Sequence, residues 1–304
     1  MNDVEFKTQT VRGVTTIELS DPRRTRDVMA YASDNGIRRF DVSMRYDSLA
    51  FVDEYQQQID ALFFADPSSG QLDLSPIYRH PALKRLQFRR EGGPPPDLAR
   101  LPSLEYFCGK WHPDLHLSEA KHLRDLCLFS CKARSLVDFP WPPHLEKLDF
   151  TLGSLVSVEG IEKAPRSLVR LELHNLRSLV AVEISDGSSL RELQMDTCGK
   201  ASLVRANREL RLLSIFKCAP MPSLAFLASL PDVESVGFDR LIDGNLQPIV
   251  DHPKIRHVQM ENKKHYSHTD LQIDVIVRPR GGYAVFRVED LGNRPVIYGS
   301  VRPD

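Results

Sequence analysis

An apolar triad with members at its first, fourth and sixth places recurs along most of the chain. It occupies Val14-Ile17-Leu19, Ile37-Phe40-Val42, Ile59-Leu62-Phe64 and Leu83-Leu86-Phe88, then weakens at Leu104-Phe107, where Gly109 takes the last place. It returns at Leu123-Leu126-Leu128, Leu145-Leu148-Phe150, Leu168-Leu171-Leu173 and Leu190-Leu193-Met195, and ends with Leu210-Leu213-Ile215, Val233-Val236-Phe238 and Ile255-Val258-Met260. Successive triads start 19–24 residues apart, about 22 on average. Polar residues fill the intervening places, as in Leu-Val-Arg-Leu-Glu-Leu-His over 168–174. That period-two alternation predicts one short strand per repeat with a single buried face. A proline stands two residues before the triad at Pro81, Pro102, Pro143, Pro231 and Pro253, where it ends the returning segment and opens a strand. Two further triads, Leu136-Phe139-Trp141 and Leu179-Val182-Ile184, fall outside this register.

The ninth place of the repeat holds Cys131, Cys198 and Cys218. Together with the triad and its spacing, this resembles the leucine-rich-repeat family, whose pattern places Asn or Cys there. The resemblance covers residues 14–262, is strong over 83–240 and carries little leucine before 83. It implies an α/β solenoid, curved, with a parallel β-sheet on the concave face and a convex face of mixed helix and irregular segments. Each unit cannot bury its own apolar face, so stacked neighbours bury it jointly. The stretch Phe-Pro-Trp-Pro-Pro-His-Leu-Glu-Lys-Leu-Asp-Phe over 139–150 also resembles the repeats of leucine-rich-repeat effectors that bacterial pathogens inject into host cells. This second match is local and hints at a bacterial origin.

Three parts follow: an N-terminal cap over 1–13, about twelve repeats over 14–262 and a β-rich C-terminal cap over 263–304. Residues 4–11 supply an edge strand at the front. At the back, 271–277, 283–288 and 295–301 read as three strands joined by turns at 280–282 and 291–294. Among the return limbs, 23–35 and 223–230 read as helical turns, and the Pro- and Gly-rich 91–97 as an irregular loop.

Composition narrows the function classes. Forty basic against forty-one acidic residues leave a formal charge of -1, without the electrostatic footprint of a nucleic-acid binder. No stretch approaches the roughly 18 unbroken apolar residues of a membrane span. The start, MNDVEFKTQT, does not read as a secretory signal, and five cysteines are too few and odd in number to staple the chain. The expectation is a cytoplasmic protein that binds neither membrane nor nucleic acid.

Chemistry-bearing motifs are sparse. GxSxG, GxxxxGK[ST] and GxGxxG do not occur. Histidines gather at His112, His116 and His122, and again at His252, His257, His265 and His268; two histidines four apart on a helix can share a metal, but His112-Pro113 disfavours a helix and no acidic residue sits at the HExxH position. Asp149 and Glu172 face Lys147 and Arg170 on neighbouring strands, which reads as a solvated charge lattice with nothing apolar to raise a carboxylate pKa. No catalytic residue, metal or cofactor is expected. Cys108 and Cys127 take the fifth place of adjacent repeats and so lie side by side on the outward face. They read either as small apolar side chains or as a thiol pair that is redox-active or binds an ion with a nearby histidine.

The outward places remain. In the central and C-terminal repeats they are polar, with Leu212 and Phe216 a small apolar pair. In the N-terminal half they hold Phe63, Arg85, Arg89, Tyr106, Lys110 and Phe129, with Trp111 one residue beyond. Aromatics with arginine are the composition of binding hot spots, unless a loop such as 92–98 folds over the rings. The expected function is a non-enzymatic module that holds a protein partner on this face. The alternatives are a bacterial immunity or antitoxin-type inhibitor, an injected effector using the same surface, or repeats that deliver a small catalytic or ligand-binding C-terminal appendage.

Overall fold

The computed structural model describes residues 6–43, 45–64, 72–89 and 93–285. The chain divides into two compact units, one of residues 1–129 with 140–145 and the other of 130–139 with 146–304.

The N-terminal unit opens on a hairpin. Thr8–Val11 (β1) pairs antiparallel with Val14–Leu19 (β2) through Arg12 and Gly13, whose φ values of 51° and 76° suit a tight two-residue turn. The edge strand expected over 4–11 is thus β1, with residues 4 and 5 outside the described residues. Thr25–Asp34 (α1) returns the chain, burying Val28, Met29 and Ala32. Then come Arg39–Val42 (β3), Ala50–Glu54 (α2), Ala61–Phe64 (β4), Ser75–Tyr78 (α3), Arg85–Phe88 (β5), Tyr106–Lys110 (β6) and Asp125–Cys131 (β7). From β2 to β7 the strands run parallel in sequence order, and the fourth place of each triad meets its counterpart: Ile17, Phe40, Leu62, Leu86, Phe107 and Leu126 form one continuous ladder. None of these side chains is more than 1% exposed. Gly109, which weakens the fifth triad, is explained by its neighbour. A Cβ there would lie 2.5 Å from the Phe107 ring, so that ring fills the space a third aliphatic residue would take.

The C-terminal unit repeats the scheme with Lys147–Gly153 (β8), Arg170–His174 (β9), Ala181–Glu183 (β10), Glu192–Asp196 (β11), Ser202–Arg205 (β12), Leu212–Phe216 (β13) and Ser235–Phe238 (β14). Gln247–Asp251 (α4), His257–Met260 (β15), Asp270–Val277 (α5) and Tyr283–Val285 (β16) complete it. The parallel order is β8-β9-β11-β13-β14-β15-β16. Its ladder runs Leu148, Leu171, Leu193, Leu213, Val236 and Val258, and a second runs Phe150, Leu173, Met195, Ile215, Phe238 and Met260. The off-register triad Leu179-Val182-Ile184 proves to be structural: β10 and β12 pair in parallel as a separate two-stranded sheet on the return limbs, and all three side chains are fully buried. Cys131, Cys198 and Cys218 are buried in the ninth place, as their spacing predicts.

A backbone signature recurs one residue before that place. Ser130, Leu152, Asn175, Thr197 and Lys217 all carry positive φ, between 51° and 63°. The left-handed step is the next-to-last residue of β7 and β8 and directly follows β9, β11 and β13, where it turns the chain toward the stack at a cost of about 1–2 kcal/mol for an ordinary side chain.

The C-terminal segment corrects one expectation. Residues 271–277 are a helix and not a strand. Leu271, Ile273, Val275 and Val277 fall at every second place, with Gln272 and Asp274 but also Ile276 between them, and Thr269 and Gln272 form a capping box: Gln272 N–H donates to the Thr269 hydroxyl at 3.3 Å and Thr269 N–H to the Gln272 side chain at 2.8 Å. The helix buries Ile273 and Val277 one turn apart and leaves Leu271 and Val275 in water. Of the second expected strand, 283–285 is β16, parallel to β15. Residues 286–288 and the third strand, 295–301, lie outside the described residues. The helical turns expected over 23–35 and 223–230 are α1 and the 3-10 turn Ala225–Ser229.

Two substitutions test the backbone. Gly160 has φ 96°, and a Cβ there would stand 2.3 Å from the Leu136 carbonyl carbon and 2.4 Å from Val137 N. Gly160→Ala is expected to lower unfolding free energy by at least ~2 kcal/mol. Leu152→Asn, at an exposed left-handed position, is expected to raise it by about 0.5–1 kcal/mol. Equilibrium urea unfolding reads both, and a neutral Gly160→Ala refutes the close approach.

Candidate outward-face site

Alternation along β4–β7 turns three rows of side chains away from the ladder. One row reads Arg39, Ala61, Arg85, Tyr106 and Asp125; the next reads Asp41, Phe63, Gln87, Cys108 and Cys127. In the third, Lys110 pairs with Phe129, and Arg89 continues β5 with its N–H on Phe64 O at 3.0 Å. Trp111 prolongs β6, its N–H donating to Phe129 O at 2.9 Å. Six of the seven residues expected to bind a partner therefore share one sheet face, whereas Trp111 follows the end of β6 with the opposite parity. Phe63, Arg85, Tyr106, Trp111 and Phe129 are half-buried, and Arg89 and Lys110 are exposed.

Arginine lies over two of the rings. The Arg85 guanidinium lies 4.0 Å from the Tyr106 ring centre, and that of Arg89 lies 4.3 Å from the Phe129 ring, close enough for cation–π attraction. The described part of the neighbouring loop, 93–97, is held elsewhere. Asp97 N–H donates to the Tyr78 hydroxyl at 2.9 Å, and its carboxylate meets His116 Nδ1 at 2.9 Å. Residues 90–92 lie outside the described residues.

The face carries Arg39, Arg85, Arg89 and Lys110 against Asp41 and Asp125. Among the described residues, no carboxylate pairs with Arg85 or Arg89, and the buried Nε of Arg85 has no hydrogen-bond partner. Burial, together with the charge of Arg85, weakens the hold of Arg39 on its proton. Cys108 and Cys127 stand opposite each other in register, with Cys108 3% exposed and Cys127 more open. A hydrogen bond from Cys127, with others from Tyr106 and Arg89, outweighs burial and brings the Cys108 thiol down to about 7. Burial pushes the Tyr106 phenol up, so it stays protonated.

The outward face of the C-terminal unit differs from the sequence reading. The carboxylates on it are not solvated: Glu172 and Glu192 are each 8% exposed. Lys147 Nζ lies 3.0 Å from Glu172, Arg170 Nε 2.5 Å from Glu192, and His174 Nε2 3.6 Å from Glu172. The Thr151 hydroxyl donates to Asp149 at 3.0 Å. Burial, reinforced by the charge of Glu172, raises the Asp149 pKa, contrary to the expectation that nothing there could. Burial pushes Glu172 the same way, but the His174 hydrogen bond and the Lys147 charge outweigh it and hold that carboxylate below its usual range. Leu212 is also buried, at 2%, and so is no exposed apolar site. Strands about 4.8 Å apart let long side chains in the flanking rows shield the middle of the face from water.

Sequence spacing did not single out the ligand set Asp149, Glu172 and His174, whose donor atoms lie within 4.8 Å of one another. Such a set suits a divalent cation, yet here Lys147 already neutralises Glu172. The histidines grouped in the sequence do other work. His252 bonds Leu230 O, His265 bonds Leu241 O and His257 packs on Tyr283.

The network titrates. The Glu172 hydrogen bond raises His174 above its ordinary value of 6.5, with Asp149 and Asp196 adding to it and Lys147 facing the same carboxylate. A raised folded-state pKa gives stability that is complete below the unfolded value and is lost as pH climbs through the folded one. His174→Gln is therefore expected to cost most at about pH 5.5, with the gap to the parent narrowing toward about pH 8.5. Urea unfolding across that range checks it, and a pH-independent gap contradicts the pairing.

No family model and no curated protein matches the chain. Among solved structures it is similar to an internalin (InlF) from Listeria monocytogenes, at 12% identity and a TM-score of 0.45, covering 83% of this chain and 68% of that one. No helix among the described residues is long and apolar enough to cross a membrane. With a repeat of about 22 residues, one short parallel strand in each and an in-register aliphatic ladder, the chain has a leucine-rich-repeat fold.

Proposed function

We propose that the chain is a non-enzymatic protein-binding module of the cytoplasm, and that the outward face of β4–β7 receives an acidic segment of its partner. One observation carries this reading: two guanidiniums lie flat on aromatic rings, without a carboxylate partner among the described residues, one with an orphaned buried Nε. Stacking fixes each planar fork, and the N–H groups that remain, one of those of Arg89 being shared with the Cys108 sulfur, can take a carboxylate from outside. Half-buried Phe63, Tyr106, Trp111 and Phe129 supply the apolar anchors beside it, and Lys110 adds charge at the rim. A net charge of -1 supports a protein partner over nucleic acid.

The test begins with capture of the partner from the native organism by the immobilised chain, identification by mass spectrometry and titration of the purified pair. Tyr106→Ala combined with Trp111→Ala is expected to weaken binding by more than ~2 kcal/mol while the circular dichroism and unfolding midpoint stay close to the parent's. Arg85→Lys with Arg89→Lys, which keeps charge and removes the fork, is expected to cost about 1–2 kcal/mol. A partner held at parental strength by the aromatic double variant moves the anchor elsewhere.

A further inference from the structure

The five cysteines are free thiols and occupy two different environments. Cys131, Cys198 and Cys218 lie in the repeat stack at 0–1% exposure. The sulfur of Cys198 donates to Leu173 O at 3.4 Å and to Asp196 O at 3.5 Å, and that of Cys218 to Phe216 O at 3.2 Å. Cys198 and Cys218 also share a hydrogen bond, so proximity alone does not set the other pair apart. Cys108 and Cys127 are set apart by where they face. Both point outward from adjacent parallel strands, directly opposite in register.

We propose that Cys108 and Cys127 form a dithiol modification site, which a low-molecular-weight disulfide such as oxidised glutathione converts to a Cys108–Cys127 disulfide. In-register neighbours on adjacent strands stand ~4.8 Å apart, inside the Cα separation of about 4.4–6.8 Å that a disulfide spans.

Access assigns the order of the two sulfurs. Cys127 is the more open and meets the reagent, whereas Cys108 is 3% exposed and cannot admit a tripeptide. The Cys127 thiolate attacks one sulfur of oxidised glutathione and the reagent's S–S bond breaks. One glutathione leaves as thiolate and takes up the proton that Cys127 gave. The Cys108 thiolate then attacks Cys127 Sγ, and the second glutathione leaves and is protonated in turn. Two protein thiols are oxidised to one disulfide, and one glutathione disulfide is reduced to two thiols. Cys108 suits the second step because the Tyr106 hydroxyl and the Arg89 guanidinium remain beside its sulfur once Cys127 carries the adduct, and both favour the thiolate. The site stands on this geometry whether or not the face carries a partner.

The experiment uses the reduced full chain, equilibrated with mixtures of oxidised and reduced glutathione and read by intact mass and peptide mapping. The expected product has lost two hydrogens and yields a cross-linked peptide joining Cys108 to Cys127, fragmentation separating Cys127 from Cys131. Dithiothreitol reverses it, and Cys131, Cys198 and Cys218 alkylate only after unfolding. Cys108→Ser is expected to stop at a stable glutathione adduct on Cys127, and Cys127→Ser to give no disulfide. A parent chain that stays reduced at the highest oxidised-to-reduced ratio, halts at the adduct, or joins Cys198 to Cys218 overturns the proposal.

Discussion

Every strand of this protein is too short to bury its own apolar side. A repeat strand of three to seven residues sends one to three side chains inward, and these are closed off from water by their counterparts in the repeats before and after together with the return limbs. Leu171 lies between Leu148 and Leu193, and Phe107 between Leu86 and Leu126. Register is therefore fixed by burial: a slip of one residue would exchange the ladder for the outward row. The left-handed residue at the close of each of these repeats' strands serves the same end, since it lets Cys198 or Cys218 turn inward at a constant distance from the ladder. That five different side chains accept positive φ there shows the demand comes from the repeat and overrides local preference.

This dependence explains what the sequence made legible. The ladder is a chemical requirement at fixed places, so it reads directly as a triad of about 22-residue period, and the outward rows follow from alternation. Failures occur where a second signal competes with the period. At 271–277 apolar residues fall at every second place until Ile276 breaks the alternation, the Thr269–Gln272 capping box starts a helix, and Asp274 is drawn in to accept from Ala284 N–H at 2.9 Å. At Leu179-Val182-Ile184 the period is present and merely belongs to another sheet.

The candidate site was legible in direction and not in detail. Period two places Arg85 and Tyr106 outward, but only the register brings them side by side in one row, and only side-chain geometry lays the guanidinium on the ring. Water access escaped the pattern altogether. Gln194, at 4% exposure, and Ser214, at 6%, occupy outward places and are buried because flanking rows crowd them. An alternating sequence states which way a side chain leaves the strand and carries no information about what stands over it.

The period also decides which charges are answered within the chain. A side chain one repeat on occupies the neighbouring position of the same row, so a cation and a carboxylate 22 residues apart close on each other: Arg38 with Asp60, Arg170 with Glu192, Lys254 with Asp232 and Arg256 with Glu234. Exposed pairs of this kind stabilise little, with a median of about 0–1 kcal/mol, but they leave no fork open. Arg85 is flanked in its row by Ala61 and Tyr106, neither of which can neutralise it. Tyr106 offers a ring face, which holds the guanidinium in place and leaves its hydrogen-bonding edge unmatched. Where the repeat supplies the opposite charge one step along, the surface is electrostatically complete. Where it supplies an aromatic ring, as from Arg85 to Tyr106, it orders a cation without neutralising it.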